Sequence, residues 1–302
     1  MLTTRFAPSP TGLLHLGHAL SARCAIDAAR QGGGRCLLRI EDIDRTRCRR
    51  ELEDALRADL AFLGLFFDGP VRRQSEHFAD YAAALQRLTA LEVLYPCFCT
   101  RADIAAEIAQ AQSAPNAASA DPQGLGPRYP GRCRSLPPHI VKERMGSGQS
   151  YALRLHLDKA VALAQRMTAG GGPLTWHDRR AGRITAAPEL LGDVVLARRE
   201  IPTSYHLAVT VDDDLQGVTL VTRGEDLFHA THIHRLLQAL LGLSTPEYEH
   251  HQLLMDAAGR RLAKRSGSES IASLRASGHS AESLWARLGL APPTSGAGGS
   301  DR

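Results

Sequence analysis

The chain has 302 residues, 43% of them hydrophobic and 23% charged, with a formal net charge of +4. That length supports one or two domains with a full core, and no apolar run approaches the roughly 20 residues of a membrane span, so no membrane-spanning helix is expected. Six unevenly spaced cysteines and an N-terminus that reads as a strand argue against a secreted disulfide scaffold; the chain is expected to be cytoplasmic, and its mildly basic balance suits an RNA partner without requiring one.

In chain order, LTTRFA reads as a buried strand and PSPTG as a turn. Leu16, Leu20, Cys24 and Ala28 recur at helical spacing, so a helix is expected from about His15 to Gln31, ended by the glycine run 32–34. A strand, tight turn and helix start aim backbone N–H groups and the positive end of the helix dipole at one point, where a phosphate fits. His15 and His18 then lie one turn apart on one face, and Gly17 leaves room for a nucleotide. RCLLRIED reads as a second strand; RRELEDALRADLAFLG and SEHFADYAAALQRLTALE read as amphipathic helices. In the second half GDVVLAR, GVTLVTRG and YEHHQLLMD are expected strands and LFHATHIHRLLQALLG a helix. The pattern is α/β, a Rossmann-like nucleotide-binding fold in two halves (1–94 and 190–268) split by an insertion (95–189). IASLRASG and SAESLWARLGL are expected to form a short helical tail over 269–302; QSAPNAASADPQGLGP and PPTSGAGGSDR have the makeup of flexible segments.

The insertion carries Cys97 and Cys99 in CFC and, thirty residues on, Tyr129 and Cys133 in YPGRC. Three thiols at such spacing suit one tetrahedral Zn²⁺ in a structural role, or else three reduced core cysteines. Cys24, Cys36 and Cys48 read as core or surface thiols. His229, His232, His234, His250 and His251 read as packed or solvated, and Arg39 and Asp44 as members of surface or sheet-edge ion pairs. Arg128, Arg132, Arg134, Arg179, Arg180 and Arg183 are possible RNA contacts, although such clusters are usually solvated surface. A late basic loop, RRLAKRSGS (Arg260 to Ser268), offers Lys264 to a triphosphate.

Taken together, RFAPSPTGLLHLGH, RIEDIDR, VTRGEDL and RLAKR resemble the glutamyl branch of the class I aminoacyl-tRNA synthetases, over roughly Thr3 to Ser268. HLGH resembles the first ATP motif of that class and RLAKR the second. The resemblance implies His15, His18 and Lys264 as catalytic residues, with Thr11, Gly12, His15, Gly17, His18 and Lys264 holding ATP and Mg²⁺ arriving with the nucleotide. It implies a glutamate site of Arg5, Phe6, Ala7, Pro8, Ser9, Glu41, Tyr205 and Arg223, in which guanidinium forks meet carboxylates and Glu41 meets the ammonium. RLAKR departs from the usual lysine-x-serine-lysine: Arg261 keeps the charge, and Ala263 removes a hydroxyl.

Only about 35 residues follow Ser266, too few for the helical domain that reads an anticodon in full-length glutamyl-tRNA synthetases. The chain is therefore similar to the shorter glutamyl-Q tRNA(Asp) synthetases. That resemblance implies Tyr129 as fourth zinc ligand beside Cys97, Cys99 and Cys133, and L-glutamate, ATP and queuosine-modified tRNA(Asp) as substrates of a monomer. It also implies tRNA-independent formation of glutamyl-adenylate, then transfer to the queuosine base. A short glutamyl-tRNA synthetase charging the tRNA 3′ end stays open, as does an adenylyltransferase with the same histidine grip.

Overall fold

A computed structural model describes residues 1–112, 128–168, 170–254 and 269–293. The buried strand β1 (Thr3–Phe6) passes through its proline-rich turn into α1 (Leu16–Gln31), as turn formers and helical spacing predict. Gly32 ends α1. At Gly34 a Cβ would fall 2.0 Å from the Leu2 carbonyl oxygen, so the return under β1 requires glycine. β2 (Arg35–Ile40) then pairs parallel with β1. After α2 (Arg50–Phe62), β3 (Arg72–Arg73) pairs parallel with β2.

Next come α3 (Phe78–Ala90), β4 (Leu94–Cys97), α4 (Arg101–Gln112), α5 (Pro138–Gly146), β5 (Ala152–Leu155) and α6 (Leu157–Met167). They are followed by β6 (Thr175–Asp178), β7 (Gly182–Thr185), β8 (Val195–Arg198), α7 (Tyr205–Leu215), β9 (Leu220–Gly224), α8 (Ala230–Leu241) and β10 (Glu247–His251). β9 pairs parallel with β10, and β10 parallel with β6. Thr219 N donates to Thr3 O at 2.9 Å, which sets β9 beside β1 and brings the two parallel groups together. The class is thus mixed α/β with parallel sheet.

Three expectations change in detail. β6 and β7 lie in the sheet with β10, whereas β8 pairs antiparallel with β5 and, through it, β4. Sheet membership therefore does not follow the 95–189 and 190–268 boundaries, because the chain crosses between these two sheets three times. GDVVLAR keeps only four residues as strand. Gly192 has φ +67°, and the Asp193 carboxylate accepts from Tyr95 OH (2.6 Å) and Leu157 N (3.1 Å), so the backbone bends before Val195. In YEHHQLLMD the strand ends at His251, and 252–254 lie outside it.

The two tail helices form as α9 (Ile271–Ala276) and α10 (Ala281–Arg287), each capped by a serine side chain, Ser270 and Ser280. They do more than trail. Ile271, Leu274, Leu284 and Trp285 are buried in one core with α1, β2 and α2, and the Trp285 indole donates to Leu63 O at 3.1 Å. A second core joins α3, α6, α7 and α8. No helix among the described residues is long and apolar enough to cross a membrane.

Candidate active site

His15 is the N-cap of α1. Its Nδ1 accepts from Gly17 N and the Nδ1 of His18 accepts from His15 N, both at 3.1 Å, a reciprocal capping box built from two imidazoles. With Nδ1 accepting, each neutral ring carries its proton on Nε2 and so offers a donor to an anion. The rings lie 3.8 Å apart, centroid to centroid. A Cβ at Gly17 would come within 3.0 Å of the His15 ring, so the glycine also lets that ring fold back onto the helix.

The carboxyl ends of β1, β2 and β9 converge beside this helix start, where open α/β sheets bind ligands. A cavity of about 340 Å³ there is lined by Arg5, Phe6, Ala7, Pro8, Ser9, Thr11, His18, Glu41, Tyr205 and Arg223. Every residue expected to bind glutamate is thus brought to one cleft with one of the two histidines. Gly12, His15 and Gly17 are not among the lining residues. Lys264 lies outside the described residues, as does all of RRLAKRSGS; its neighbour Ser270 bridges antiparallel to His15, and Ile271 N donates to Leu14 O at 2.8 Å. Ser21, Thr222, Gly224, Asp226 and Leu227 also line the cleft and were not expected from the sequence; all but Ser21 stood in the VTRGEDL motif without a role.

Both arginines of the cleft are held from behind. Arg5 donates Nε to Asp213 (3.0 Å) and Nη1 to Thr222 O (3.2 Å). Arg223 donates to His250 Nε2 (3.1 Å), Tyr205 OH (3.3 Å), His234 Nδ1 (3.3 Å) and Thr231 Oγ1. Burial pushes the Glu41 carboxyl up to about 7, against the lowering pull of Arg39 and Arg5, so the cleft holds an acid ready to ionise when a cation arrives.

Several single-residue expectations are corrected by this geometry. Arg39 is not at a surface or sheet edge: β2 is the central strand of β1-β2-β3, and Arg39 is fully buried, donating to Asp213 (2.6 Å) on α7 and Gln216 (3.0 Å) at its C-terminal end. Asp44 closes a turn, accepting from Thr46 N and Oγ1 (3.1 and 2.6 Å). His234 and His250 do not merely pack, since both bond Arg223, and His232 accepts from the Trp176 indole (3.4 Å) and Ala187 N (3.2 Å). Of the six arginines singled out for RNA, Arg134, Arg179 and Arg180 face Asp158, Glu247 and Glu249 at 2.8–3.7 Å.

Away from the cleft, the sulfurs of Cys97, Cys99 and Cys133 lie within 4.8 Å of one another, a group that could bind a metal. The Tyr129 hydroxyl is 3.5 Å from the Cys99 sulfur and accepts from Cys133 N at 2.9 Å. Zinc bonded to thiolates at about 2.3 Å in a tetrahedron needs sulfurs about 3.8 Å apart, so the donor set fits. Burial pushes the Cys24 and Cys36 thiols up to about 11, as for inert packed thiols.

Residues 1–295 match the family model of the class I tRNA synthetase (E and Q) catalytic domain. The glutamyl-Q tRNA(Asp) synthetase of Rhodobacter capsulatus is 49% identical over 293 residues, 96% of this chain and 100% of the relative. That of Symbiobacterium thermophilum is 41% identical over 95% of this chain and 85% of its own length. The crystal structure of a glutamate tRNA ligase from Elizabethkingia meningosepticum, in complex with its amino acid, superposes with a TM-score of 0.73 at 26% identity. This chain is covered over 93% of its length in that superposition and spans 59% of the ligase chain. With the histidine-capped helix and the cleft beside it, these likenesses mean that the chain belongs to the class I tRNA synthetases of the glutamate and glutamine type, and within them to the glutamyl-Q tRNA(Asp) synthetases, which are synthetase-like ligases.

Proposed function

We propose that the chain activates L-glutamate with ATP, without tRNA, and then transfers it to the queuosine base in the anticodon loop of tRNA(Asp). The observation that carries the reading is the single cleft holding Arg5, Ser9, Glu41, Tyr205 and Arg223 beside His18. The name shared by the relatives supports the acceptor.

In the first step a glutamate carboxylate oxygen attacks the α-phosphorus of ATP, the bond to pyrophosphate breaks, and glutamyl-adenylate forms. No protein nucleophile is needed; the work is to hold two anions in line and stabilise charge on the phosphate. Arg5 and Arg223, fixed by their buried partners, take carboxylates, and Glu41 ionises against the ammonium. The Nε2–H groups of His15 and His18, with backbone amides near Thr11 and Gly12, take phosphate oxygens. Lys264 takes the β/γ side, and Mg²⁺ comes with ATP. In the second step a hydroxyl of the queuosine cyclopentenediol attacks the acyl carbon and AMP leaves. A splayed anticodon loop offers that hydroxyl to a compact domain, with basic side chains for its phosphates.

Enzyme, ATP and labelled glutamate are expected to label queuosine-modified tRNA(Asp) and not the unmodified transcript, with the label surviving removal of the tRNA 3′ end. Equal labelling of both RNAs rejects the queuosine acceptor. Label lost with the 3′ end makes the chain a tRNA-charging enzyme.

We further propose that Cys97, Cys99, Tyr129 and Cys133 hold one structural Zn²⁺ with no open coordination position. Such an ion ties the end of β4 to the turn at 129–133. Purified protein is expected to carry about one zinc per chain by atomic emission, and Cys99→Ser to lose it together with several degrees of melting temperature. A metal content below about a tenth per chain in protein prepared without chelator excludes the site.

A further inference from the structure

We propose that Asp178 and His250 are positioning residues for the amino acid substrate, acting through Arg223: they lock the guanidinium in the plane in which it meets a carboxylate. The inference rests on the reading that the cleft takes glutamate.

Arg223 Nε lies 3.1 Å from His250 Nε2. An arginine nitrogen can only donate, so His250 Nε2 must be bare and its proton must sit on Nδ1. There it is donated to Asp178 Oδ2 at 2.7 Å. Asp178 is itself pinned, its Oδ1 accepting from Arg180 N and Ala181 N at 2.9 Å and its Oδ2 from His250 N at 3.2 Å. All three side chains are buried, and the imidazole is walled by Trp176, Phe228 and Tyr248. The order carboxylate, imidazole, guanidinium fixes a tautomer in the same way that a carboxylate orients the imidazole of a hydrolase triad. Here the group being aimed is a binding cation. Burial and the neighbouring Arg223 push His250 down to about 4, so the ring stays neutral and keeps its acceptor at physiological pH. His234, bonded to Arg223 on one side and to His206 (3.2 Å) on the other, braces a second nitrogen of the same guanidinium.

Two amide substitutions separate aiming from packing. In His250→Asn the amide can replace Nδ1–H toward Asp178 but falls short of Arg223. In His250→Gln the carbonyl can replace Nε2 toward Arg223. Glutamate-dependent pyrophosphate exchange by His250→Asn is expected to show a KM for glutamate raised about ten- to a hundredfold, the scale of one lost charge-assisted hydrogen bond. Its KM for ATP and its kcat at saturating glutamate should stay within about threefold, and His250→Gln should raise the glutamate KM less than about fivefold. A residue that only fills space and satisfies Asp178 gives the reverse order; that order, or equal changes in both KM values, overturns the proposal. Nitrogen NMR of ring-labelled wild-type protein decides the matter even if neither variant folds. The His250 proton is expected on Nδ1 at neutral pH, and finding it on Nε2 overturns the proposal. Wild-type protein without any glutamate-dependent exchange would end the glutamate reading instead, and the tautomer would still decide how Arg223 is held.

Discussion

Asp213→Ala is expected to destabilise the protein by about 3–5 kcal/mol and to remove glutamate-dependent exchange under conditions where the variant is still folded. The Asp213 side chain is 8% exposed and is shared by two guanidinium groups, Arg5 at 3.0 Å and Arg39 at 2.6 Å, whose side chains are 5% and 0% exposed. Truncation leaves Arg5 with the Thr222 carbonyl alone, and Arg39 with Gln216 and two more distant acids, Glu41 at 3.9 Å and Asp212 at 4.0 Å. Two buried cations then lack their nearest anion, a far larger cost than losing a surface pair. Arg5 also loses the bond that aims it into the cleft, so activity and stability should fall together. Chemical denaturation measures the stability and pyrophosphate exchange the activity.

The same residue predicts a pH signature. Burial would raise the Asp213 carboxyl, but Arg5 and Arg39 outweigh it and hold the group below the ordinary carboxylate range. A depressed carboxyl contributes stability above its unfolded value near 3.8 and loses it as pH falls through the folded value. The gap between wild type and Asp213→Ala should therefore be full near neutrality and close in strong acid, where the wild type loses the same charge. A gap that stays constant down to acid unfolding would mean that Asp213 acts by packing and not by charge.

Much of the cleft was legible because its residues sit in short, ordered motifs. RFAPSPTGLLHLGH fixes a strand, a turn and a helix start within a few residues, so Arg5, Ser9 and His18 must end close together whatever the rest of the chain does. Glu41 follows the same logic, since β2 pairs with β1 in parallel register from Thr3 onward and delivers its carboxyl end to the same edge. The layer behind the cleft was not legible. The run Asp212–Asp214 in α7 looks like a solvated helix face, yet Asp212 is fully buried and bonds Arg72, Gln74 and Tyr81 at 2.8–3.0 Å. Nothing local says that this helix is packed between α3 and α8; partners more than a hundred residues away decide what Asp212 meets. His250 failed for the same reason. Its alternation in YEHHQ reports a strand face, but the meaning of that face comes from Asp178 across a parallel pair with β6, a pairing hidden in a segment where only an insertion was expected.

Lys264→Ala should lower kcat for glutamate-dependent pyrophosphate exchange by about 10²–10³-fold, the scale of removing one preorganised donor from a developing negative charge, and leave the KM for glutamate within about threefold. Lys264 stands six positions before Ser270 in the chain, and Ser270 bridges to His15 at the head of α1. Six residues span at most about 20 Å even when fully extended, an upper limit on the distance from Ser270 to Lys264 that is compatible with the proposed shared triphosphate. On the other flank, Leu253 abuts Gly224 in the cleft wall: a Cβ at that glycine would fall 2.7 Å from the leucine side chain. The described residues on either side of the basic segment, Leu253 and Ser270, thus both lie beside this cleft. Arg261 and Arg265 are the obvious substitutes for a lost charge, but an arginine elsewhere in the run starts from a different tether length and should not restore the in-line geometry. A Lys264→Ala enzyme within about threefold of wild-type kcat would remove this lysine from the reaction, and with it the pairing of the first and last motifs on which the proposed activation step depends.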